Sequence, residues 1–115
     1  GCGSGILAIA AVKLGARRVL AVDIDAQAID ACRSNMAVNA VPAERIQPCL
    51  PDRVGARTTD LLIANILAGP LLELAPRFAE LVRPGGKILL SGILLSQLDD
   101  IQSVYGNYFD MQPAR

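Results

Sequence analysis

Uninterrupted apolar runs that alternate with helix-like segments constrain the fold of this chain most strongly. The clearest runs lie within residues 19–22, 60–65 and 87–91. Such runs are typical of strands that are covered on both faces, as in parallel sheets, because a half-exposed strand alternates apolar and polar residues. Strands that alternate with helices along a chain form doubly wound sheets. We therefore predict an α/β fold with a doubly wound, mostly parallel sheet.

The segment that follows the first five residues predicts a helix. Leu7, Ala10, Ala11 and Leu14 recur at helical spacing, so they share one face of this helix. Two of these four side chains are alanines, which are small enough to let the helix lie close against the sheet. We expect this face to be the buried one.

Three further helices are expected along the chain, the last of them behind a capping-box pattern of Ser96 and Asp99. The first begins at Asp25, whose side chain can accept from the unpaired backbone N–H groups at a helix start. Three residues form its inner stripe: Ile29, Cys32 and Met36. The next helix is predicted over residues 70–82. Pro76 should kink or restart it, because proline has no backbone N–H to donate.

The composition excludes several classes of function. The 115 residues carry 11 basic and 11 acidic side chains, so no strong charge field would hold nucleic acid or a membrane surface. The absence of histidine removes Ser/His/Asp triads and most zinc sites, and we expect no metal. Three widely spaced cysteines give no disulfide framework, which predicts a reducing, cytoplasmic location. No apolar run reaches the length of a membrane span.

The glycine-rich stretch GCGSG, residues 1–5, predicts a ligand-binding loop. In a doubly wound sheet, ligands bind beyond the carboxyl ends of the strands, where glycines allow close approach and a helix start offers N–H groups. Asp23 ends the next apolar run, near the spacing of ~20 residues that is typical of an acid on ribose hydroxyls. Together these features predict an adenosine-type ligand. Taken singly, the loop is also consistent with a turn that only packs a helix on the sheet. Asp23 taken singly is also consistent with a helix-capping or solvated acid.

The spacing of the glycines separates two classes of cofactor. Dinucleotide-binding loops follow G-x-G-x-x-G, whereas this chain has G-x-G-x-G, with Ile6 at the sixth position. The pattern resembles the first motif of class I S-adenosylmethionine methyltransferases. An NAD-dependent oxidoreductase is the alternative from another enzyme class, and Ile6 counts against it.

Asn65 ends the apolar run of residues 60–65 and is expected at the same sheet edge as the glycine loop. A polar amide at that edge would face a ligand crevice. Asparagine also commonly begins turns, so this residue taken alone leaves both interpretations open.

The whole chain resembles the catalytic domain of the ribosomal protein L-eleven methyltransferase family, a class I family. The segments that carry the resemblance are GCGSGILAIAAVKLGA, AVDIDAQAI and ANILAGPL, with RPGG and LLSGIL in support. ANILAGPL is the most specific of these. The resemblance implies a Rossmann-like methyltransferase sheet and S-adenosylmethionine as the cofactor. It also implies N-methylation of lysine side chains or the N-terminal α-amine of a large-subunit ribosomal protein.

The same resemblance assigns the cofactor-binding residues. It implies that the loop, through Gly1, Gly3 and Gly5, contacts the amino-acid part of S-adenosylmethionine. Asp23 would bind the two ribose hydroxyls, and Ile24 would pack on one face of the adenine.

The remaining implied roles concern the methyl acceptor and the adenine edge. Asn65 stands where amino-methyltransferases keep an asparagine beside the reactive methyl, so it is expected to be both catalytic and cofactor-binding. Base-modifying relatives have Asn-Pro-Pro-Tyr there, and the tyrosine stacks on a flipped base. This chain continues with Ile66, Leu67 and Ala68, which favours a protein substrate and no direct nucleic-acid binding. Asp52 is a weaker candidate for the adenine edge.

The resemblance further predicts which part of the family's architecture the chain represents. The family has a strand before the glycine loop, a substrate-recognition domain before that strand, and a last strand beyond Arg115. We expect residues 1–115 to be part of one S-adenosylmethionine-binding catalytic domain without these parts, and hence inefficient alone. A methyltransferase for another protein or a small amine is an alternative, as is a non-catalytic cofactor-binding module.

Overall fold

The computed structural model describes residues 1–55 and 58–113. It consists of two compact units, Gly1–Gly55 and Ala56–Arg115. Each unit holds one pair of hydrogen-bonded parallel strands together with helices. This confirms the predicted α/β class with parallel strands.

The first unit is built around two short strands. Its elements are α1 (Ile6–Lys13), β1 (Val19–Val22), α2 (Ala26–Val38), β2 (Ile46–Cys49) and a 3-10 turn (Pro51–Arg53). Strands β1 and β2 are parallel, with Val19 opposite Ile46 and Val22 opposite Cys49. Because parallel partners point the same way, the carboxyl ends of both strands lie at one edge of this pair.

Helix α2 forms as its sequence predicts. The Asp25 side chain caps it by accepting from the Gln27 N–H at 2.9 Å. All three residues of its predicted stripe are buried, namely Ile29, Cys32 and Met36. Capping and apolar spacing therefore confirm both the start and the inner face of α2.

Helix α1 buries a different face from the predicted one. Ala8 and Ile9 are its buried residues, whereas Leu7 is exposed and Leu14 is 89% exposed. The predicted inner face is therefore wrong. The reason is that α1 is apolar around most of its circumference, so helical spacing alone does not decide which side packs on the core.

The second unit also contains two strands and two helices. Its elements are β3 (Thr59–Asn65), α3 (Ala68–Leu81), β4 (Val82–Ser91), a 3-10 turn (Leu95–Gln97) and α4 (Leu98–Tyr105). Strands β3 and β4 are parallel, and their last residues, Asn65 and Ser91, lie opposite each other. The register jumps from Val82 to Lys87 on β4, so residues 83–86 form an irregular bulge.

The core of the second unit lies on one face of its strand pair. Ala64 is buried there, together with residues of α3 and α4. Leu61, Ile63 and Leu89 are exposed on alternate positions of the same strands. The expectation that these apolar runs are covered on both faces is therefore wrong for the described structure. Side chains alternate between the two faces of a strand, and the helices of this unit pack against only one of these faces.

Helix α3 contains Pro76 but continues from Ala68 to Leu81. The predicted restart of the helix at Pro76 is therefore wrong. Proline removes one donor from the helix, yet Leu71 and Ala75 on the buried face are completely buried in the core. Packing of that face offsets the lost hydrogen bond.

No helix in residues 1–55 and 58–113 is long and apolar enough to cross a membrane.

Candidate functional site

The glycine loop leads from the start of the chain into α1, and two of its glycines have left-handed backbones. Gly3 has φ +54° and Gly5 has φ +86°, a region that side-chain-bearing residues rarely adopt. A Cβ on Gly5 would lie 2.5 Å from the Cys32 Sγ, so this glycine also allows α2 to approach the loop. A Cβ on Gly3 would meet nothing within 4 Å. The space beside Gly3 is open to a ligand.

The loop is hydrogen-bonded to the end of β1. The Gly1 nitrogen donates to the Val22 carbonyl at 2.8 Å, and the Cys2 N–H donates to the same oxygen at 2.8 Å. The Gly5 N–H donates to the Cys2 carbonyl at 2.9 Å and closes the turn. These bonds hold the loop at the carboxyl end of β1, where the sequence predicts a ligand edge.

Asp23 follows β1 directly and joins the loop to the start of α2. Its Oδ2 accepts from the Gly3 N–H at 2.9 Å, and its Oδ1 accepts from the Asp25 N–H at 3.0 Å. The residue is only 9% exposed. Each carboxylate oxygen has a second lone-pair direction, so Asp23 can still accept from a ligand while it holds the loop. The sequence predicted a ligand role for Asp23 and left a capping role open, but it did not predict the hydrogen bond to Gly3.

The ionisation of Asp23 is set by two opposing effects. Burial by itself would raise its pKa, but hydrogen bonds from the backbone N–H groups of Gly3 and Asp25 act in the opposite direction, and the pKa lies below its ordinary value of 3.8. Asp23 is therefore a carboxylate near neutral pH, and its oxygens can act only as hydrogen-bond acceptors.

Ile24 and Asp52 lie further along the same unit. Ile24 follows Asp23 and is 86% exposed, so its apolar side chain is available to a flat ligand group. Asp52 lies in the 3-10 turn Pro51–Arg53 and is exposed. The unit thus brings Gly1–Gly5 and Asp23 together through hydrogen bonds and presents Ile24 beside them.

The cysteines near the loop do not have the properties of nucleophiles. Cys2 packs on a cluster that contains Cys32, and all three cysteines of the chain are thiols. Burial, with smaller contributions from Cys32 and Asp23, raises the pKa of Cys2 to about 11. Burial likewise raises the pKa of Cys32. Both groups are protonated at neutral pH, and a thiol is a much weaker nucleophile than a thiolate.

One cavity of the first unit, about 480 Å³, lies away from the glycine loop. It is open beside α2 and β2, and its lining includes Asp30, Arg33 and Arg53. None of the predicted site residues contributes to it. Hydrogen-bonding groups converge instead at Asp23 and the glycine loop, so the candidate site lies there and does not include this cavity.

Asn65 is the last residue of β3, in the second unit, and is exposed. Within residues 1–55 and 58–113, its side chain makes no hydrogen bond. Its position relative to the glycine loop stays a prediction. The residue that the sequence interpretation missed is Gly92, which follows β4 and lies against the Asn65 carboxamide. A glycine directly after a strand end, in LLSGIL, is the signal that points to it.

A glycine loop that is hydrogen-bonded to an acid at the end of the following strand is typical of α/β proteins with nucleoside-type ligand sites. A family model described as "Ribosomal protein L11 methyltransferase (PrmA)" matches residues 1–115. The chain therefore belongs to the ribosomal protein L11 methyltransferase family.

Individual relatives agree with this family assignment. The "Ribosomal protein L11 methyltransferase" of Pseudomonas putida (strain GB-1) is 52% identical over 113 residues, which are 98% of this chain and 39% of that protein. The protein of the same name from Pseudomonas aeruginosa (strain LESB58) is 50% identical over 114 residues, or 99% of the chain and 39% of its own length. The chain thus spans about two fifths of the length of these relatives.

A solved structure is similar over the whole chain. It is the crystal structure of "ribosomal protein L11 methylase" from Lactobacillus delbrueckii subsp. bulgaricus, with a TM-score of 0.84 and 38% sequence identity. The match covers 100% of this chain and 62% of the other.

Proposed function

We propose that the protein is an S-adenosylmethionine-dependent N-methyltransferase that acts on a large-subunit ribosomal protein. Its acceptors are amino groups, either lysine side chains or the N-terminal α-amine. Family membership over residues 1–115 supports this proposal, as do the names of the relatives. We also propose that the protein works in the cytoplasm, and that residues 1–115 belong to one catalytic domain with a doubly wound, Rossmann-like sheet.

The arrangement around Asp23 is the observation that carries the cofactor assignment. Its ionised, nearly buried carboxylate holds Gly3 and keeps unused lone pairs for two ribose hydroxyls. The open space beside Gly3 allows the amino-acid part of the cofactor to approach the backbone of Gly1, Gly3 and Gly5. The exposed Ile24 side chain offers an apolar surface to one adenine face. These groups support S-adenosylmethionine as the ligand of this site.

The proposed chemistry requires no histidine. S-adenosylmethionine supplies a methyl group on a positively charged sulfur, which a neutral amine can attack directly. An α-amine has a pKa of about 7.7–8.0 and is partly neutral in the cell, whereas the lysine side chain, with a pKa of about 10.4, must first lose its proton. The protein's task is to align the amine with the methyl group.

Asn65 is the residue that we assign to this alignment. Its carboxamide is exposed at the carboxyl end of β3 and makes no hydrogen bond within the described residues. The Oδ1 atom can accept an N–H of the incoming amine and so direct the nitrogen lone pair. Ile66, Leu67 and Ala68 follow it without an aromatic ring, which favours an aliphatic amine over a nucleobase.

Two measurements test this function in the full-length gene product. Calorimetric titration should give binding of S-adenosylmethionine and of its demethylated product, with none of NAD. Incubation with labelled cofactor should transfer the label to purified L11 at amino groups that mass spectrometry can assign. Binding of NAD alone would contradict the cofactor assignment. Cofactor binding without transfer to L11, but with transfer to another protein or an amine, would contradict the substrate.

A further inference from the structure

Gly92 lies directly beside Asn65 at the carboxyl ends of β3 and β4. Asn65 is opposite Ser91 in the parallel register, and Gly92 is the next residue on that side. A Cβ on Gly92 would lie 2.6 Å from the Asn65 Oδ1, 3.4 Å from the Ile66 carbonyl oxygen and 3.8 Å from the Asn65 Cγ. The nearest obstacle to a side chain at Gly92 is therefore the acceptor oxygen of Asn65.

A contact of 2.6 Å between carbon and oxygen is too short to persist, so one of the two groups would have to move. The Asn65 carboxamide is the end of an exposed side chain and can rotate away, whereas the Ile66 carbonyl belongs to the backbone and is at an ordinary contact distance. A methyl group at Gly92 would thus displace the Asn65 side chain and leave the fold largely intact. Gly92 is itself exposed, so core packing does not require a glycine there.

We propose that Gly92 is a positioning residue: the absence of its Cβ leaves the space in which the Asn65 Oδ1 meets the acceptor amine. This inference rests on the proposed function and deepens it. Asn65 contacts the substrate, and Gly92 acts only through Asn65. Any side chain at Gly92 would turn the acceptor oxygen away from the position it occupies beside the end of β4.

The left-handed backbone of Gly92 is a competing reason for glycine, and the chain offers a matched control for it. Gly92 has φ +80° and Gly85, in the same unit, has φ +81°. A Cβ on Gly85 would meet only the Arg83 Nη1, at 3.7 Å, which is an ordinary contact. Gly85→Ala therefore places a side chain at nearly the same φ as Gly92→Ala and leaves Asn65 in place.

The first test measures the position of the Asn65 side chain without any ligand. In a ¹⁵N–¹H spectrum of the labelled full-length gene product, the Asn65 side-chain amide signals are those that vanish in Asn65→Ala. Gly92→Ala should move these signals, whereas Gly85→Ala should leave them where they are. Unmoved signals in Gly92→Ala would overturn the proposal.

The second test measures catalysis in single turnovers with saturating S-adenosylmethionine. Gly92→Ala should lower the rate by about 10- to 100-fold, as expected for a displaced aligning group, with cofactor affinity unchanged. The rate of Gly85→Ala should stay within about twofold of the wild-type rate, since a side chain at Gly85 would not contact Asn65. In the Asn65→Ala background, Gly92→Ala should have no further effect, because two residues that act as one unit are not additive.

The outcomes separate this inference from the proposed function. If Asn65→Ala lowers the single-turnover rate and Gly92→Ala does not, the role of Gly92 alone is overturned. An effect of Gly92→Ala that persists in the Asn65→Ala background also overturns it. A wild-type rate in Asn65→Ala overturns the role of Asn65 and that of Gly92 with it. If Gly92→Ala does not fold, Gly92→Asn replaces it, because asparagine tolerates the left-handed backbone and still carries the Cβ.

Discussion

The Gly3 N–H donates to the Asp23 Oδ2 at 2.9 Å and fixes the glycine loop to the carboxylate that follows β1. Gly3 has a left-handed backbone, which turns its N–H towards that carboxylate, and Asp23 also accepts from the Asp25 N–H. A single side chain thus connects the loop, the end of β1 and the start of α2. The proposed ribose-binding group and the support of the cofactor loop are therefore the same residue.

Replacing Asp23 by alanine should weaken S-adenosylmethionine binding and loosen the loop. The mutation removes hydrogen bonds to a charged acceptor, which contribute about 1.5–3 kcal/mol each. Isothermal titration calorimetry of the full-length gene product measures the effect. Asp30→Ala is the matched control, because Asp30 is an exposed acid on α2. Equal affinities in Asp23→Ala and the wild type would remove Asp23 from the site.

Replacing Asn65 by alanine should reduce turnover far more than cofactor binding. A group that orients the attacking amine acts mainly in the transition state, so its loss lowers kcat. We expect a decrease of about 10²-fold, similar to the effect of a misplacement of about 1 Å. Single-turnover methylation of L11 with saturating cofactor measures it. A loss of thermal stability with an unchanged rate per folded molecule would identify Asn65 as a turn residue only.

Gly5→Ala should be more destabilising than alanine at another left-handed glycine. The added Cβ would lie 2.5 Å from the Cys32 Sγ, inside the packed contact between the loop and α2. Gly15 is the control, because it has φ +115° and no neighbour within 4 Å of a Cβ. We expect the Gly5 variant to lose about 1–3 kcal/mol more than the Gly15 variant in urea unfolding, as is usual for overpacking.

A second substitution, at Cys32, checks whether the contact with Gly5 causes this loss of stability. Cys32→Ala removes the sulfur atom, so Gly5→Ala should cost less in the Cys32→Ala background than in the wild type. Equal costs in the two backgrounds would show that the backbone conformation of Gly5, and not the contact with Cys32, requires glycine.

Asp23 should also contribute to acid sensitivity. Its pKa in the folded chain is below the ordinary value of 3.8, and the hydrogen bonds from the Gly3 and Asp25 N–H groups favour its ionised form. A depressed pKa stabilises the folded state above the unfolded value and loses that contribution as the pH falls through the folded pKa. The stability of the wild type should therefore fall more steeply than that of Asp23→Asn between about pH 5 and pH 3. Parallel urea titrations at several pH values would show the difference, and superimposable pH profiles would contradict it.

Tyr105 should stabilise the core of the second unit through its hydroxyl. The side chain is fully buried and its OH donates to the Leu71 carbonyl at 2.6 Å. Tyr105→Phe should cost about 1–2 kcal/mol in urea unfolding, because it removes a buried hydrogen bond. Tyr108→Phe, at a half-exposed position, should cost much less. Similar costs for the two variants would refute a special role for this bond.

Tyr105 should also make the stability of the folded chain depend on pH in alkaline solution. The direction is opposite to that of Asp23, because stability is lost as the pH rises. Burial raises the pKa of Tyr105 from 10.0 to about 12. A raised pKa gives stability that is complete below the unfolded value and lost as the pH rises through the folded one. Wild-type stability should thus decline between pH 10 and 12, and Tyr105→Phe should lack this part of the decline. Identical alkaline profiles would contradict the prediction.

The sequence by itself determined those features that depend on neighbours along the chain. The Asp25 cap and the stripe of Ile29, Cys32 and Met36 follow from capping chemistry and side-chain periodicity, which act over a few residues. The family assignment also came from contiguous motifs, of which ANILAGPL is the most specific. Asp23 could be selected because its type and its distance from the loop are both visible in the sequence.

The tertiary structure alone decided which of several equivalent surfaces became buried and which distant residues touch. Helix α1 is apolar on more than one side, so only its packing selected Ala8 and Ile9 over Leu7 and Leu14. The contact between Gly92 and the Asn65 Oδ1 joins residues on two strands, and no local rule relates them. Periodicity identifies the residues that share a face, but burial and contact depend on what lies opposite, and only the folded chain specifies that.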